Sequence, residues 1–386
     1  MQPFEFRTTP VIISGAGKTE GTGEHMRALG ASRVFLVSDP GVLAAGLADA
    51  AQASLKAAGL SFDIWDRVRA DPPEAEILEA VVAAREAGCD AVLGLGGGSP
   101  MDTAKLVALL LGTDQPIADA YGVGNARGGR VPLVLVPTTA GTGSEVTPIA
   151  IVTTGENEKK GVVAPQLIPD AAILDATLTT GLPAPVTAAT GIDAMVHAIE
   201  AYTSRHKKNA LSDVLAREAL ALLGGSIRTA CTTPDDLDAR GAMLLGACLA
   251  GMSFANAPVA AVHALAYPLG GHFKVPHGLS NAMVLPYVLS FNREEASAES
   301  AYAELAPIVF PELEKHDRSG RVDGFIEELT GLGPALGLDI RLRSVGVSHN
   351  HLPMLADDAM KQTRLLVNNP REMTTEAALE IYGRAL

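Results

Sequence analysis

The sequence predicts an α/β N-terminal domain on a mostly parallel sheet over residues 1–182, followed by an all-helical domain over residues 183–386. Three observations carry this. From Arg33 onward, short β-branched runs alternate with longer Ala/Leu-rich segments, the pattern of strands joined by crossover helices. After Pro183 the β-type runs stop and long segments with helical spacing take over. Between the two, GLPAP (181–185) supplies the breakers expected at a boundary.

In order, RVFLVSD (33–39) reads as a strand, Leu43 to Ala58 as a helix, SFDIWDRV (61–68) as a strand and Pro73 to Ala87 as a helix. DAVLGLG (90–96) is the next strand, Ser99 to Leu111 a helix, and VPLVLVPTT (131–139) a further strand. The second half reads as helices over 185–204, 209–231, 235–255, 278–291, 297–309, 321–336, 351–363 and 374–386. No internal repeat is visible.

Composition narrows the function classes. With 386 residues, 47% hydrophobic and 19% charged, the chain can bury more than one core. A net charge of −14 and the absence of any Lys/Arg-rich run argue against nucleic acid, which requires a concentrated basic surface. Cys89, Cys231 and Cys248 stand far apart, which suggests neither a disulfide framework nor a thiolate metal site. The opening residues lack the basic and apolar regions of a signal peptide, so the expected setting is the cytoplasm. No Asp, Glu, Lys or Arg occurs between Arg240 and Lys274, but Asn256, Pro258, His263, Pro268 and His272 within that stretch argue for a buried helix and loop rather than a membrane span.

Two glycine-rich turns follow strands. In LGLGGGSPMDTAK, Gly96, Gly97 and Gly98 precede Ser99, which reads as an N-cap, with Pro100 at the first helical position and Asp102 completing a capping-box-like arrangement. Glycines there let a pyrophosphate reach backbone N–H groups at the positive end of a helix. The second turn, Thr138-Thr139-Ala140-Gly141-Thr142-Gly143, offers hydroxyls and amides to a ribose, phosphate or nicotinamide edge. Either turn alone is equally accounted for as a tight strand-to-helix connection. The usual dinucleotide fingerprint places its acid about 20 residues after the glycines; here the candidate, Asp39, comes earlier, where it would bind a ribose 2′-OH, repel a 2′-phosphate and favour NAD, or would simply cap a helix.

GIDAMVHAIEAY sets Asp193 and His197 four residues apart on one helix face, with Ile192, Val196 and Ile199 available to the core. In VHALAYPLGGHFKVPHGLSNAM, Pro268, Gly270, Gly271 and Pro276 break the chain, so that His263 would close one helix and His277 open the next. Satisfied core histidines are the plain alternative. One carboxylate and three imidazoles would leave a divalent ion near +1 with an open position, as in catalytic rather than structural sites.

GGGSPMDTAK, PTTAGTGSE, GLPAPVTAATGIDAMVHAIEAY, HALAYPLGGHFKVPHGLSNAMVLP and NNPREMTTEAALEIY together resemble the iron-containing (group III) alcohol dehydrogenases, in order over almost the whole chain. The resemblance implies a dehydroquinate synthase-like fold with the active site between its domains, and hydride transfer between NAD(H) and a small alcohol or aldehyde. It implies Asp193, His197, His263 and His277 as ligands of one divalent ion, Fe²⁺ or Zn²⁺. It places Asp39, Gly96 to Ser99, Asp102, Thr138, Thr139, Thr142, Lys159 and Leu178 at the cofactor, with Lys160 equally placed if its loop shifts by one. It further implies a cytoplasmic homodimer or larger homo-oligomer. One position departs: many alcohol-specific members resemble H-x-M-A-H-P, and here Tyr267 replaces the second histidine. A phenol titrating near 10 is a poorer proton relay at neutral pH, which brings in His272 as a substitute. It also keeps hydroxyacid-oxoacid transhydrogenase chemistry in play, with maleylacetate reduction a further alternative. Dehydroquinate synthase is disfavoured because no basic cluster lies near the ligands.

Overall fold

The β-branched runs become the strands of a parallel sheet in a computed structural model that describes residues 3–155 and 158–386. The chain divides into two compact units, one of Arg7–Gly181 and one of Leu182–Leu386 with residues 3–6. In the first, strands β1 (Val11–Ser14), β2 (Arg33–Val37), β3 (Ser61–Trp65), β4 (Ala91–Gly96), β6 (Leu133–Pro137) and β9 (Ala171–Leu174) form a six-stranded sheet in the order β1-β9-β6-β4-β2-β3. All its pairings are parallel. A smaller sheet, β5-β8-β7, is made of β5 (Gly122–Val123), β7 (Ile149–Thr154) and β8 (Glu158–Val163).

Six helices belong to this unit: α1 (Thr22–Ala28), α2 (Pro40–Ala44), α3 (Asp49–Ala57), α4 (Glu74–Glu86), α5 (Gly98–Leu111) and α6 (Ile117–Ala120). Side chains alternate across a strand, and the two cores follow. Phe35, Val37, Val92, Leu133 and Leu135 pack with Ile77, Val81, Met101 and Ala104 of α4 and α5. Val34, Leu36, Leu93, Leu95, Val134 and Val136 pack with Met26 and Leu55 of α1 and α3 on the other face. Because both faces are covered, the strands read as unbroken apolar runs rather than alternating ones.

The second unit contains α7 (Ala184–Thr203), α8 (Ala210–Thr232), α9 (Leu237–Asn256), α10 (Ala261–Phe273), α11 (His277–Asn292), α12 (Ala296–Val309), α13 (Arg318–Ala335), α14 (Leu352–Met360), α15 (Thr363–Leu366) and α16 (Thr375–Ala385). Among the described residues no single helix is long and apolar enough to cross a membrane. The uncharged stretch after Arg240 folds as α9 and α10, bent by 106° relative to each other.

The structure corrects three local expectations. The helix read over Leu43 to Ala58 is two helices, α2 and α3, separated by Gly46 at φ 71°. The histidine-bearing segment breaks at Ala257–Ala260, before His263, and again at Lys274–Pro276, so that His277 opens α11 as expected, while Pro268, Gly270 and Gly271 lie inside α10. His263 therefore stands in the first turn of a helix instead of closing one; a helical proline deletes one backbone hydrogen bond without having to end the helix. Finally, α5 begins at Gly98 with Gly97 as its N-cap and no side-chain cap, so Ser99 is not the cap.

Asp175, just after β9, ties that strand to the segment following β1. It accepts hydrogen bonds from the Gly17 and Thr19 N–H groups at 2.9 Å each and from the Thr177 hydroxyl at 2.7 Å. Burial pushes its carboxyl up, but these hydrogen bonds outweigh burial and hold it below the ordinary carboxylate range. A depressed folded-state pKa gives stability that is present above the unfolded value near 4 and lost as pH falls through the folded value. Asp175→Asn, which leaves one backbone donor facing an N–H₂ group, is expected to cost about 1–3 kcal/mol in urea unfolding at pH 7. The difference from wild type should shrink below about pH 4; a difference independent of pH would refute the assignment.

Candidate metal centre and nucleotide-binding loops

Asp193 and His197 lie one turn apart on α7, a helix whose buried positions are mostly apolar, Ile192, Val196 and Ile199 among them. His263 enters from the third position of α10 and His277 from the first position of α11. One potential ligand atom from each of the four falls within 4.8 Å of the other three. Asp193, His197 and His263 are buried, while the His277 side chain is 43% exposed and forms the open side. His263 Nε2 stands 3.8 Å and His277 Nε2 3.5 Å from Asp193 Oδ1.

The convergence requires a glycine. A Cβ on Gly278 would lie 2.3 Å from the Ala189 carbonyl oxygen, so only glycine lets the start of α11 lie directly against α7. Phe254 stacks on the His197 ring with centroids 4.3 Å apart, and His197 stacks on His263 at 4.6 Å.

Two residues that sequence reasoning passed over complete the cluster. Asn281, four residues after His277 on the same face of α11, donates from Nδ2 to Asp193 Oδ1 at 2.6 Å. The same nitrogen lies 3.3 Å from both His263 Nε2 and His277 Nε2. Asp193 Oδ1, His263 Nε2 and His277 Nε2 thus surround one point, a grouping that could hold a cation. Glu200, one turn beyond His197, contacts His263 Nδ1 at 2.6 Å. The available signal for Glu200 was a carboxylate on the face already holding Asp193 and His197. Burial pushes the Asp193 carboxyl up, but the three imidazoles and Asn281 outweigh it and keep it below the ordinary range.

Tyr267, one turn after His263, places its ring 6.0 Å from that of His277. His272 is elsewhere: its Nε2 meets Asp358 Oδ2 of α14 at 2.5 Å, outside the four-residue group.

Most of the candidate nucleotide residues gather where the sheet order reverses. From β2 the chain proceeds outward to β3, whereas from β4 it proceeds to β6 on the other side, so the carboxyl ends of β2 and β4 flank a switch point, the usual ligand crevice of such sheets. Asp39 follows β2 and caps α2, accepting from Val42 N–H at 3.0 Å. Gly96 ends β4 at φ 151°, where a Cβ would meet Pro100 at 2.6 Å and would stand 3.5 Å from Asp39 Oδ2. The second turn packs over the first. Thr138 N–H donates to Gly96 O at 2.9 Å. Thr139 and Thr142 side-chain atoms approach to 3.6 and 3.0 Å of where Cβ atoms on Gly97 and Gly98 would be.

Other candidates support this loop system. Ser99 Oγ accepts from Asp71 N–H at 3.2 Å. Asp102 accepts from Ser144 Oγ at 2.6 Å and Ile151 N–H at 2.9 Å instead of closing a capping box. The wholly buried Lys105 donates to Thr147 Oγ1 and Ile149 O. Burial pushes Lys105 down to about 8 against the pull of Asp102 and Glu145. Lys159 binds Thr153 Oγ1 at 2.9 Å and Asp71 at 2.6 Å, while Lys160 pairs with Glu158. Leu178 lies in the core beside α1 and α3.

With this geometry established, comparison with known proteins is decisive. Residues 9–176 match the family described as iron-containing alcohol dehydrogenase, and residues 187–386 match the Fe-containing alcohol dehydrogenase family, C-terminal. The chain belongs to the iron-containing alcohol dehydrogenase family. It is 37% identical over 383 residues to long-chain-alcohol dehydrogenase 1 of Geobacillus thermodenitrificans, covering 97% of this chain and 95% of that one. It is 30% identical over 382 residues to the NAD-dependent methanol dehydrogenase of Bacillus methanolicus, covering 99% of each. Among solved structures, a 1,3-propanediol oxidoreductase superposes over 100% of both chains with a TM-score of 0.96 at 31% identity. These comparisons make the chain a metal-dependent oxidoreductase of the alcohol/aldehyde class.

Gly278→Ala should separate α11 from α7. It is expected to lower stability by about 1–3 kcal/mol and to weaken zinc binding by about tenfold or more, since ligands on different helices lose register. Zinc titration with a competing chromophoric chelator checks this, and unchanged affinity would show that the close approach is not what assembles the four donors.

Proposed function

We propose that this protein transfers hydride between NAD(H) and a small alcohol or its aldehyde, with a divalent ion held by Asp193, His197, His263 and His277. The observation that carries this reading is the convergence of one carboxylate and three imidazoles within 4.8 Å, with His277 on an exposed side through which substrate can enter. The donor set, three nitrogens and one oxygen without thiolate, suits Fe²⁺ or Zn²⁺. When bound, the ion supplies Lewis acidity to a hydroxyl or carbonyl oxygen, and nicotinamide supplies or accepts the hydride.

The protein's own groups do the rest. Asp193 balances part of the ion's charge, and Phe254 behind His197 excludes water from that side. Tyr267, beside His277, offers a phenol to hydrogen-bond the substrate. With His272 engaged by Asp358, the tyrosine is the better placed of the two for that task. In the α/β unit, the uncapped start of α5 and the Gly96–Gly98 turn are proposed to take the pyrophosphate on backbone N–H groups, with Ser99, Thr138, Thr139 and Thr142 around them. Asp39 is proposed to accept the ribose hydroxyls and to disfavour a 2′-phosphate. Asp102, Lys159 and Leu178 act by holding the loops and the core under them. Two relatives support the reading by name, one acting on long-chain alcohols and one on methanol with NAD: what they share is an alcohol oxygen.

Chelation should abolish NADH formation from short alcohols, and Fe²⁺ or Zn²⁺ should restore it. His277→Ala should remain inactive after the same reloading, whereas wild-type turnover in that variant would sink the metal reading. Asp39→Ala is expected to raise KM for NAD by about 10–100-fold, the loss of one or two charge-assisted hydrogen bonds. It should also narrow the preference over NADP, while an unchanged ratio would remove Asp39 from the ribose.

A further inference from the structure

Glu200 is 3% exposed on α7, three residues after His197 and seven after Asp193. Burying a carboxylate costs several kcal/mol unless its oxygens are fully engaged, and here they are. Oε1 lies 2.6 Å from Val262 N, and Oε2 lies 2.9 Å from Ala260 N and 2.6 Å from His263 Nδ1. The two backbone groups belong to the start of α10, where the first N–H groups of a helix have no partner within it. No side chain of α10's own N-cap serves them.

These contacts give Glu200 two tasks. One is to cap α10 from a neighbouring helix, which holds the bend between α9 and α10. The other concerns the ring. The carboxylate already accepts two backbone hydrogen bonds, so the contact with His263 is best satisfied by a proton on Nδ1, leaving the Nε2 lone pair facing Asp193 and Asn281. That is the tautomer a metal-binding histidine requires when its ion sits on Nε2.

We propose that Glu200 is the positioning residue of the metal centre, selecting the tautomer and orientation of His263 through Nδ1 while anchoring the turn from which His263 and Tyr267 both project. The proposal rests on the reading of Asp193, His197, His263 and His277 as ligands. It goes beyond that reading by naming the group that makes one of them competent.

The experiment uses the full chain, with zinc alone as the probe. Glu200→Gln keeps the shape but cannot accept at both ends, and it is expected to bind zinc 10–100-fold more weakly, the usual effect of removing a partner behind a metal-binding histidine. The rise in Tm on adding zinc should shrink in proportion, whereas a cap that stabilised α10 without placing His263 would lower Tm equally with and without zinc. In ¹⁵N-histidine spectra of zinc-loaded wild type, His263 should carry its proton on Nδ1. Wild-type zinc affinity in Glu200→Gln together with weakened binding in His263→Ala would reduce Glu200 to a cap of α10 and overturn the proposal. Wild-type affinity in both variants would overturn the ligand set itself. Should Glu200→Gln fail to fold, the wild-type spectrum decides: a proton on Nε2 of His263 refutes the assignment.

Discussion

A carboxylate that is 2% exposed, Asp193, sets the terms for the helical unit. An isolated charge at that depth would be far too costly to keep, so its surroundings are committed to compensating it: an amide from Asn281, imidazoles from three helices and a position open to a cation. Satisfying Asp193 requires α10 and α11 to begin at nearly the same place beside α7. Gly278, the bend before α10 and the carboxylate of Glu200 are the means by which they do so. The same helix therefore buries two carboxylates, Asp193 toward the cation position and Glu200 behind the histidine that faces it.

The α/β unit solves a different problem with different materials. The proposed phosphate would meet backbone N–H groups at the start of α5, which demands close approach rather than charge. The side chains nearby serve mainly to brace the turns: Asp102, Ser144, Lys105 and Thr147 link α5 to the segment leading into β7. Lys105 and Asp102 compensate each other in a buried position, so charge there is spent on holding a loop in place.

Within the iron-containing alcohol dehydrogenase family, relatives named for methanol and for long-chain alcohols share this chain's length and both of its halves. A metal held by the four-residue cluster would account for what is common to such substrates, an oxygen to polarise. In the proposed reading chain length is decided by the walls around that oxygen, and Tyr267, its ring 6.0 Å from that of His277, would be a bulkier wall than a histidine.

The sequence by itself determined strands β2, β3, β4 and β6 with their crossover helices, the all-helical second half, the family and the four residues that converge from α7, α10 and α11, because these follow from local periodicity and from side-chain types whose chemistry is narrow. It did not show where helices begin around them. Pro268, Gly270 and Gly271 suggest that His263 ends a helix, yet tertiary packing carries α10 through them, with breaks at Ala257–Ala260 before it and at Lys274–Pro276 after it. Ser99 has the composition of an N-cap, but its hydroxyl is taken by Asp71, and glycine begins the helix. The short strands β1 and β9 carry too little periodicity to be read and exist by pairing with partners distant in sequence, while β7 and β8, equally short, pair antiparallel with each other although close along the chain. Glu200 and Asn281 likewise look ordinary along the chain. Apart from His277, four residues before Asn281, their partners are between 18 and 88 residues away, His263 and Asp193 among them, and only the folded arrangement of three helices brings those within hydrogen-bonding reach.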